Sequence, residues 1–231
     1  MTQTALQTEL PRRRISIPSG IALPVLAVIA SIAIQCWPTA QAALQYDRGA
    51  ISAGQHWRLI TGHMVHWSWR HLEGDISALI LLCWTINPHG GWKVTMAALG
   101  GAAAISLAIM IFDPGTVIYR GMSGVNYGLL AWAVLARLAA SPRRVAARYA
   151  ALLAALAVKV GLDVAIPGLV PSIGLPDGIA LVGVSHLAGF YAAVLIWILY
   201  KLPRHPVKRP TARRPRPDAV GIIDYKHAEA C

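Results

Sequence analysis

Long apolar stretches separated by short polar breaks dominate this chain. Most are close to the roughly 20 apolar residues that a helix needs to cross a bilayer. The breaks carry Gly, Pro or Asn, which end helices. This pattern predicts an all-α polytopic membrane protein, a bundle of six transmembrane helices. The predicted spans are 21–37, 72–86, 94–112, 122–140, 146–166 and 179–202.

The second predicted span, 72–86, is the short one. It either begins earlier, near His63, or is held inside the bundle, where less length is needed. The first span poses a different question, because basic residues, an apolar run and Ala-Gln-Ala at 40–42 resemble a secretory signal with its cleavage site. Further apolar blocks follow and Pro38 interrupts the approach, so we expect an uncleaved anchor.

Composition agrees with a membrane protein. Of 231 residues, 56% are hydrophobic and 13% are charged, against about 25% charged in soluble domains. We expect one membrane domain over 20–202, preceded by a cytoplasmic N-terminal segment at 1–19. A basic tail follows at 203–231, and its Pro- and Arg-rich composition predicts disorder.

The net charge of +11 is arranged as a topology signal. Basic residues precede the first span, fill the linker at 137–148 and follow the last span. An even number of spans separates these three groups, so they fall on the same side of the membrane. By the positive-inside rule, both termini are then cytoplasmic and the loops 38–71, 113–120 and 167–178 lie outside. Nucleic acid is not an expected partner. The loop 38–71 carries three tryptophans and is expected to pack on the membrane surface.

Ser123 stands at the outer end of the fourth span, between Gly121 and Gly124. Glycine lets a loop or a substrate backbone come close. The N-terminus of a helix offers free N–H groups that can hold an oxyanion. A patch of small residues that serves only helix packing is the alternative.

His186 lies about eight residues into the last predicted span, or about 12 Å along the helix from the outer side. It can therefore meet Ser123 at a similar depth. Polar residues within a bilayer are costly and mark function, so the pair is interpreted as a nucleophile and its base; a hydrogen-bonded packing histidine is the alternative. Small residues one turn apart would pack this helix on the fourth one: Ser185, Gly189 and Ala193.

His71 and Asp75 are four residues apart and share one helix face. With His63 and His66 nearby, a metal site is the competing interpretation. There is no H-E-x-x-H motif and no carboxylate at the matching offset, so no metal and no cofactor are predicted.

Lys159 and Asp163 are also four residues apart and predict an ion pair within the fifth span. A role in substrate or water access is the alternative. No third acidic residue is expected to orient His186, so the sequence predicts a dyad rather than a triad.

Three motifs in combination resemble those of the rhomboid intramembrane serine proteases. They are H-x(4)-H-x(3)-D from His66, G-x-S-G around Ser123 and S-H-L-A-G around His186. The stretches Tyr-Asp-Arg-Gly-Ala-Ile at 46–51 and Trp-Arg-Leu-Ile-Thr-Gly-His at 57–63 look most like the rhombosortase branch. The resemblance implies a multi-pass protein of the bacterial inner membrane whose active site opens to the periplasmic face. Its substrates would be membrane-anchored proteins with C-terminal Gly-Gly sorting segments.

The resemblance also implies residue roles. Ser123 matches the nucleophile, His186 the general base and His71 an oxyanion-stabilising histidine. His66 matches a second motif histidine, and Gly121 and Gly124 flank the nucleophile. The earliest histidine of the family pattern falls on Gly62, with His63 displaced by one.

Asp75 departs from the family pattern, because many rhomboids carry an asparagine there that donates to the oxyanion. An ionised aspartate would repel the oxyanion, so Asp75 is either protonated and a donor or an anion that orients His71. Burial disfavours the charged form of a carboxyl group, which favours the donor.

Two other functions compete with proteolysis. A non-proteolytic rhomboid-like protein would bind and sort membrane helices, but such relatives typically lack the serine or the histidine, and this chain has both. A transporter or channel would be supported by inverted repeats, and none is visible in the sequence.

Overall fold

A computed structural model of the protein describes residues 22–86, 91–169 and 175–201. Within these ranges the regular structure is helical apart from two short strands, so the predicted all-α class is confirmed. In chain order the elements are α1 (Ala22–Gln35), α2 (Pro38–Leu44), β1 (Tyr46–Asp47), α3 (Arg48–Ser52), α4 (Arg58–Thr61), a 3₁₀ helix (Gly62–Met64), α5 (Trp69–Ile86), α6 (Gly91–Phe112), β2 (Ile118–Tyr119), α7 (Ser123–Ala140), α8 (Arg143–Ala165) and α9 (Gly183–Lys201).

The long helices α1 and α5 to α9 correspond to the six predicted spans. The second span begins at Trp69 and has 18 residues. It starts three residues earlier than residue 72, but not near His63, which lies in the separate 3₁₀ helix. By length and hydropathy α8 and α9 are each able to cross a membrane, and shorter apolar stretches run over Pro24–Gln35 and Ala98–Phe112. The predicted segment 1–19 and tail 203–231 lie outside the described residues.

The predicted start of the last span at residue 179 is wrong. A turn at Asp177 and Gly178, where Gly178 has a φ of 81°, is followed by four residues outside any helix or strand, and α9 begins only at Gly183. His186 is therefore in the first turn of its helix rather than two turns inside it. This places it at the same kind of position as Ser123, which begins α7.

Glycines bring α7 and α9 into backbone contact. A Cβ atom on Gly124 would lie 2.6 Å from the carbonyl oxygen of Ser185, and one on Gly128 would lie 2.8 Å from that of Gly189. A Cβ on Gly189 would collide with the carbonyl oxygen of Gly124. The predicted row of small residues on α9 is thus confirmed as its contact with α7, and Ala193 is buried as well.

Large apolar side chains cover much of the outer surface of the long helices. Trp84 is 79% exposed and Phe112 is 74% exposed, and Ile29 and Leu195 are more than half exposed. Apolar patches of this kind mark contact with a membrane or a partner. They agree with helices whose outward faces meet lipid.

The segment 38–71 is folded into the protein to a greater extent than a membrane-surface loop would be. Tyr46, Val65 and His66 are fully buried. Strand β1 pairs antiparallel with β2, with Tyr46 opposite Tyr119. Trp57 and Trp69 are exposed and suit a membrane interface, so packing on the membrane surface stays a prediction for this part of the segment.

Arg48 fastens this segment to the end of α6. Its guanidinium donates hydrogen bonds to the carbonyl oxygens of Ile109, Met110, Asp113 and Thr116, over 2.7 to 3.2 Å. The last carbonyl groups of a helix have no partner within it and carry negative partial charge. A cation with several donors therefore caps α6 well. The stretch 46–51, singled out in the sequence, is a structural anchor in this respect.

Candidate active site

Ser123 is the first residue of α7 and follows a sharp turn. Gly121 has a φ of 122°, a backbone conformation that favours glycine. The first helical hydrogen bond of α7 runs from the N–H of Asn126 to the carbonyl oxygen of Met122. The N–H groups of Ser123 and the next two residues therefore precede the first partner within the helix. The turn thus presents the hydroxyl beside backbone donors that have no partner within the helix.

His186 meets Ser123 directly. Its Nε2 lies 3.0 Å from Ser123 Oγ, within the range expected between a nucleophile and its base. The histidine is only 3% exposed, whereas the serine is partly exposed toward a cavity. The two residues that the sequence paired are therefore brought together by the backbone contact of α7 with α9.

Asp163 completes a chain of side chains that the sequence did not predict. Its Oδ2 lies 2.8 Å from His186 Nδ1, and both residues are buried. The expectation that no acidic residue lies where it could orient His186 is wrong. The cause is the close approach of α8 and α9 at Gly183, where a Cβ would collide with the carbonyl group of Asp163. Such a register between two helices leaves no periodic signal in the sequence.

The predicted ion pair within α8 is present. Lys159 Nζ lies 2.5 Å from Asp163 Oδ2, the same oxygen that faces His186. Lys159 also lies over the ring of Tyr127, 4.6 Å from its centroid, and the Tyr127 ring is 4.3 Å from that of His186. Tyr127, which the sequence analysis did not select, thus contacts both the histidine and the ammonium group.

Asp75 acts as an acceptor at Oδ2. The backbone N–H of Met122 donates to this oxygen over 2.9 Å, and His66 Nε2 lies 3.1 Å from it. His71 Nε2 is 3.5 Å from the same atom, so the predicted shared face of His71 and Asp75 is confirmed. Since a backbone N–H can only donate, Oδ2 is not the atom that donates to an oxyanion. The geometry favours the second interpretation, in which Asp75 orients histidines.

His63 stands apart from this cluster. Its Nε2 lies 2.9 Å from the carbonyl oxygen of Ala102 and 3.1 Å from Ser106 Oγ, both on α6. Burial lowers the pKa of His63 to about 4, so the ring is neutral near pH 7. His63 therefore joins the loop to α6 rather than adding a charge to the site.

Gly121 and Gly124 have different tasks. A Cβ on Gly121 would lie 2.7 Å from His71 Cε1, so glycine allows the turn to lie flat against the His71 ring. Gly124 instead touches the backbone of Ser185. One glycine thus shapes the site and the other sets the distance between helices.

Asn126 is a further site residue that the sequence analysis missed. It lies three residues after Ser123 on the same helix face, and this spacing was the available signal. Its Nδ2 donates to the carbonyl oxygen of Asp75 over 3.0 Å, and its side chain lines the cavity. Asn126 therefore adds a second link between α5 and α7 beside the nucleophile position.

A cavity of about 550 Å³ opens in front of Ser123. Leucines of α5, α7 and the stretch before α9 form its apolar walls. A largely apolar pocket with a few convergent polar groups is typical of a ligand site. The polar lining residues include His71, Asp75, Ser123, Asn126, Lys159 and His186.

This is a helical membrane protein with a serine and a histidine in contact at the ends of two helices. The Rhomboid domain family matches residues 53–202, well over half of the chain, and the chain belongs to the rhomboid family. A search among curated proteins gave no match. The family indicates an integral membrane serine peptidase whose substrates are membrane proteins.

Proposed function

We propose that this chain is an intramembrane serine endopeptidase in which Ser123 is the nucleophile and His186 the general base. The observation that carries the proposal is the 3.0 Å separation between Ser123 Oγ and His186 Nε2 at the wall of the cavity. A structural hydrogen bond between two packed helices would not need an adjoining cavity. Membership in the rhomboid family supports the same chemistry.

The proposed reaction has two halves. His186 Nε2 takes the hydroxyl proton as Ser123 Oγ attacks the scissile carbonyl carbon, whose π electrons move to its oxygen. The tetrahedral intermediate then collapses, the C–N bond breaks, and His186 returns the proton to the leaving amine. Water repeats the sequence on the acyl-enzyme and releases the carboxylic acid. Water reaches Ser123 from the cavity.

We propose that the oxyanion is held by the N–H groups at the start of α7 together with His71. These backbone donors point outward from the helix N-terminus, where the helix dipole also favours negative charge. Asp75 and His66 act in support, because Asp75 fixes the N–H of Met122 just before the nucleophile. Gly121 keeps this turn against His71.

For the orientation of the protein in the membrane, we propose that both termini are cytoplasmic and that the site opens to the periplasmic face of a bacterial inner membrane. The distribution of basic residues supports this arrangement. The protease domain is proposed to span 20–202. Substrates would enter sideways between helices and unwind near the cleaved bond.

For substrates, we propose the rhombosortase assignment: membrane-anchored proteins with a C-terminal Gly-Gly sorting segment. The stretches 46–51 and 57–63 support it through their resemblance to that branch. The physical reason is that Gly is about 1 kcal/mol worse than Ala in a helix. Two adjacent glycines therefore help a substrate segment to leave the helical state and reach Ser123.

The chemistry is tested by covalent labelling of the full chain in detergent with a fluorescent fluorophosphonate. We expect labelling of the wild type and of Ser141→Ala, a control serine at the end of α7. Ser123→Ala should not label, and His186→Ala should label at least about 100-fold more slowly, since general-base catalysis contributes about 10²–10⁴-fold. Equal labelling of wild type and Ser123→Ala would refute the proposed nucleophile.

The substrate class needs its own test in proteoliposomes. One reporter carries a Gly-Gly motif, a membrane helix and basic residues, and a matched reporter replaces Gly-Gly by Val-Val. We expect cleavage of the first only. Equal cleavage of both would leave the peptidase intact and would overturn the substrate assignment.

A further inference from the structure

Asp163 forms one line with His186 and Ser123. Asp163 Oδ2 is 2.8 Å from His186 Nδ1, and His186 Nε2 is 3.0 Å from Ser123 Oγ. The side chains of Asp163 and His186 are 1% and 4% exposed. We propose that Asp163 is a positioning residue that fixes the proton of His186 on Nδ1, so that the three residues form a triad. This inference deepens the proposed function and rests on it.

The ammonium group of Lys159 determines whether Asp163 or His186 holds the proton that lies between them. It lies 2.5 Å from the oxygen that faces His186. A cation at this distance favours the ionised carboxylate, even in apolar surroundings. An ionised carboxylate can only accept hydrogen bonds. Nδ1 of His186 must therefore carry the hydrogen, and Nε2 is left with the lone pair that accepts the proton of Ser123.

The backbone holds this alignment in place. Gly183 packs directly on the carbonyl group of Asp163, three residues before His186. The ring of Tyr127 on α7 lies 4.3 Å from the imidazole, centroid to centroid. The imidazole is thus held between α7 and α8, and its rotation away from Ser123 would break the bond to Asp163.

The charges around His186 favour a positioning role over a large electrostatic one. Lys159 and Asp163 on α8 form a pair of zero net charge, and Tyr127 on α7 is the neighbouring titratable group. Across the cavity lie His71 and Asp75 on α5. Because the ammonium opposes the effect of the carboxylate on an imidazolium, the main contribution of Asp163 is the choice of tautomer and the ring orientation.

The kinetic test compares Asp163→Asn with Asp163→Glu and with Glu73→Gln, a matched acid-to-amide change at an exposed position of α5. For Asp163→Asn we expect kcat to fall by about 10²–10⁴-fold, as expected when the wrong tautomer is favoured, with little change in KM. Asp163→Glu should recover part of the rate, and Glu73→Gln should match the wild type.

A double variant separates positioning from charge neutralisation. Asp163→Asn leaves the Lys159 ammonium without its carboxylate, whereas Lys159→Gln with Asp163→Asn removes both charges. If Asp163 only neutralises Lys159, the double variant should regain the wild-type rate. If Asp163 positions His186, the double variant should stay as slow as Asp163→Asn. A full recovery would overturn the proposal.

The tautomer is measured independently of activity by ¹⁵N NMR of histidine-labelled protein, with His186→Gln to assign the signal. We expect Nδ1–H in the wild type and a loss of that preference in Asp163→Asn. A proton on Nε2 in the wild type would refute the positioning role even if the enzyme were active. Nδ1–H in a protein that fluorophosphonate does not label would instead refute the proposed peptidase and leave the positioning intact.

Discussion

Asp75 on α5 accepts a hydrogen bond from the backbone N–H of Met122, 47 residues later in the chain and directly before Ser123. A carboxylate that faces two histidines thus also holds the turn that presents the nucleophile. The position where this chain departs from the common rhomboid asparagine is therefore a structural link to Ser123, and its replacement should affect both rate and stability.

We expect Asp75→Asn to lower the labelling rate of Ser123 by about 10-fold, since the amide oxygen still accepts from Met122 while the negative charge beside His66 and His71 is lost. Asp75→Ala should be worse, at about 100-fold or more, on the scale of a 1 Å misplacement, because the turn before Ser123 and the His71 ring both lose the group that holds them. It should also cost about 1–3 kcal/mol in stability, because a buried N–H loses its partner.

Fluorophosphonate labelling and thermal unfolding in detergent measure these two effects, with Glu73→Ala on the exposed face of α5 as the control. Wild-type or higher rates in Asp75→Asn would restore the alternative in which this position donates to the oxyanion.

The second prediction concerns the contact between α7 and α9. Gly124→Ala places a methyl group 2.6 Å from the carbonyl oxygen of Ser185, so one helix must shift. Because Ser123 and His186 adjoin these two residues, activity should fall about 100-fold, on the scale of a 1 Å misplacement.

The matched control is Gly100→Ala in α6, where a Cβ meets nothing within 4 Å. It should leave the labelling rate unchanged. Equal rates for the two variants would show that the helices separate freely without cost to the site.

The third prediction concerns acid stability. The pKa of His63 is lowered from 6.5 to about 4 by burial, so the unfolded chain binds a proton before the folded one as pH falls. The contribution of His63 to stability is therefore complete above pH 6.5 and declines toward pH 4. The slope should be about 1.4 kcal/mol per pH unit.

Unfolding free energies measured between pH 7 and pH 4 check this expectation. His63→Gln should lower the slope in that window by about 1.4 kcal/mol per pH unit, whereas His56→Gln, at an exposed position, should not change it. An identical pH dependence in wild type and His63→Gln would contradict the assignment.

The fourth prediction concerns orientation in the membrane. Single cysteines at Thr116, in the loop before β2, and at Ser141, in the basic linker, report opposite sides if the positive-inside rule holds. The background chain replaces the native cysteines by alanine.

A membrane-impermeant maleimide should label the cysteine at position 116 in intact spheroplasts and the one at 141 only after permeabilisation. The reverse pattern would place the opening of the site on the cytoplasmic side and would refute the proposed topology.

Local patterns predicted the elements of this protein well, because long apolar runs and helix-ending residues act over a few positions. The start of α9 shows where prediction from local patterns fails. Residues 179–182 are apolar and were predicted to be helical, but they lie outside any helix, and three of them line the cavity wall. Hydropathy indicates that a side chain is apolar, but it does not distinguish a helix that faces lipid from a non-helical segment that lines a cavity.

The same distinction applies to the site: contacts within one helix were predicted from the sequence, and contacts between helices were not. The pairing of His71 with Asp75 and of Lys159 with Asp163 follows from a spacing of four on one helix, and both pairs are present. The contacts of Asp75 with Met122 and of Asp163 with His186 join different helices. They depend on helix register, which glycine contacts such as Gly183 on Asp163 determine and which no single segment encodes.

The capping of α6 by Arg48 has a consequence for biosynthesis. The carbonyl groups that hold Arg48 lie 61 to 68 residues later in the chain. At about 5–20 residues per second, a ribosome needs roughly 3–14 s to make them. Until then Tyr46 lacks Ile105 and Ile109, two buried residues of its apolar cluster. A nascent chain that stalls before α6 is complete therefore leaves the segment around Tyr46 without those partners.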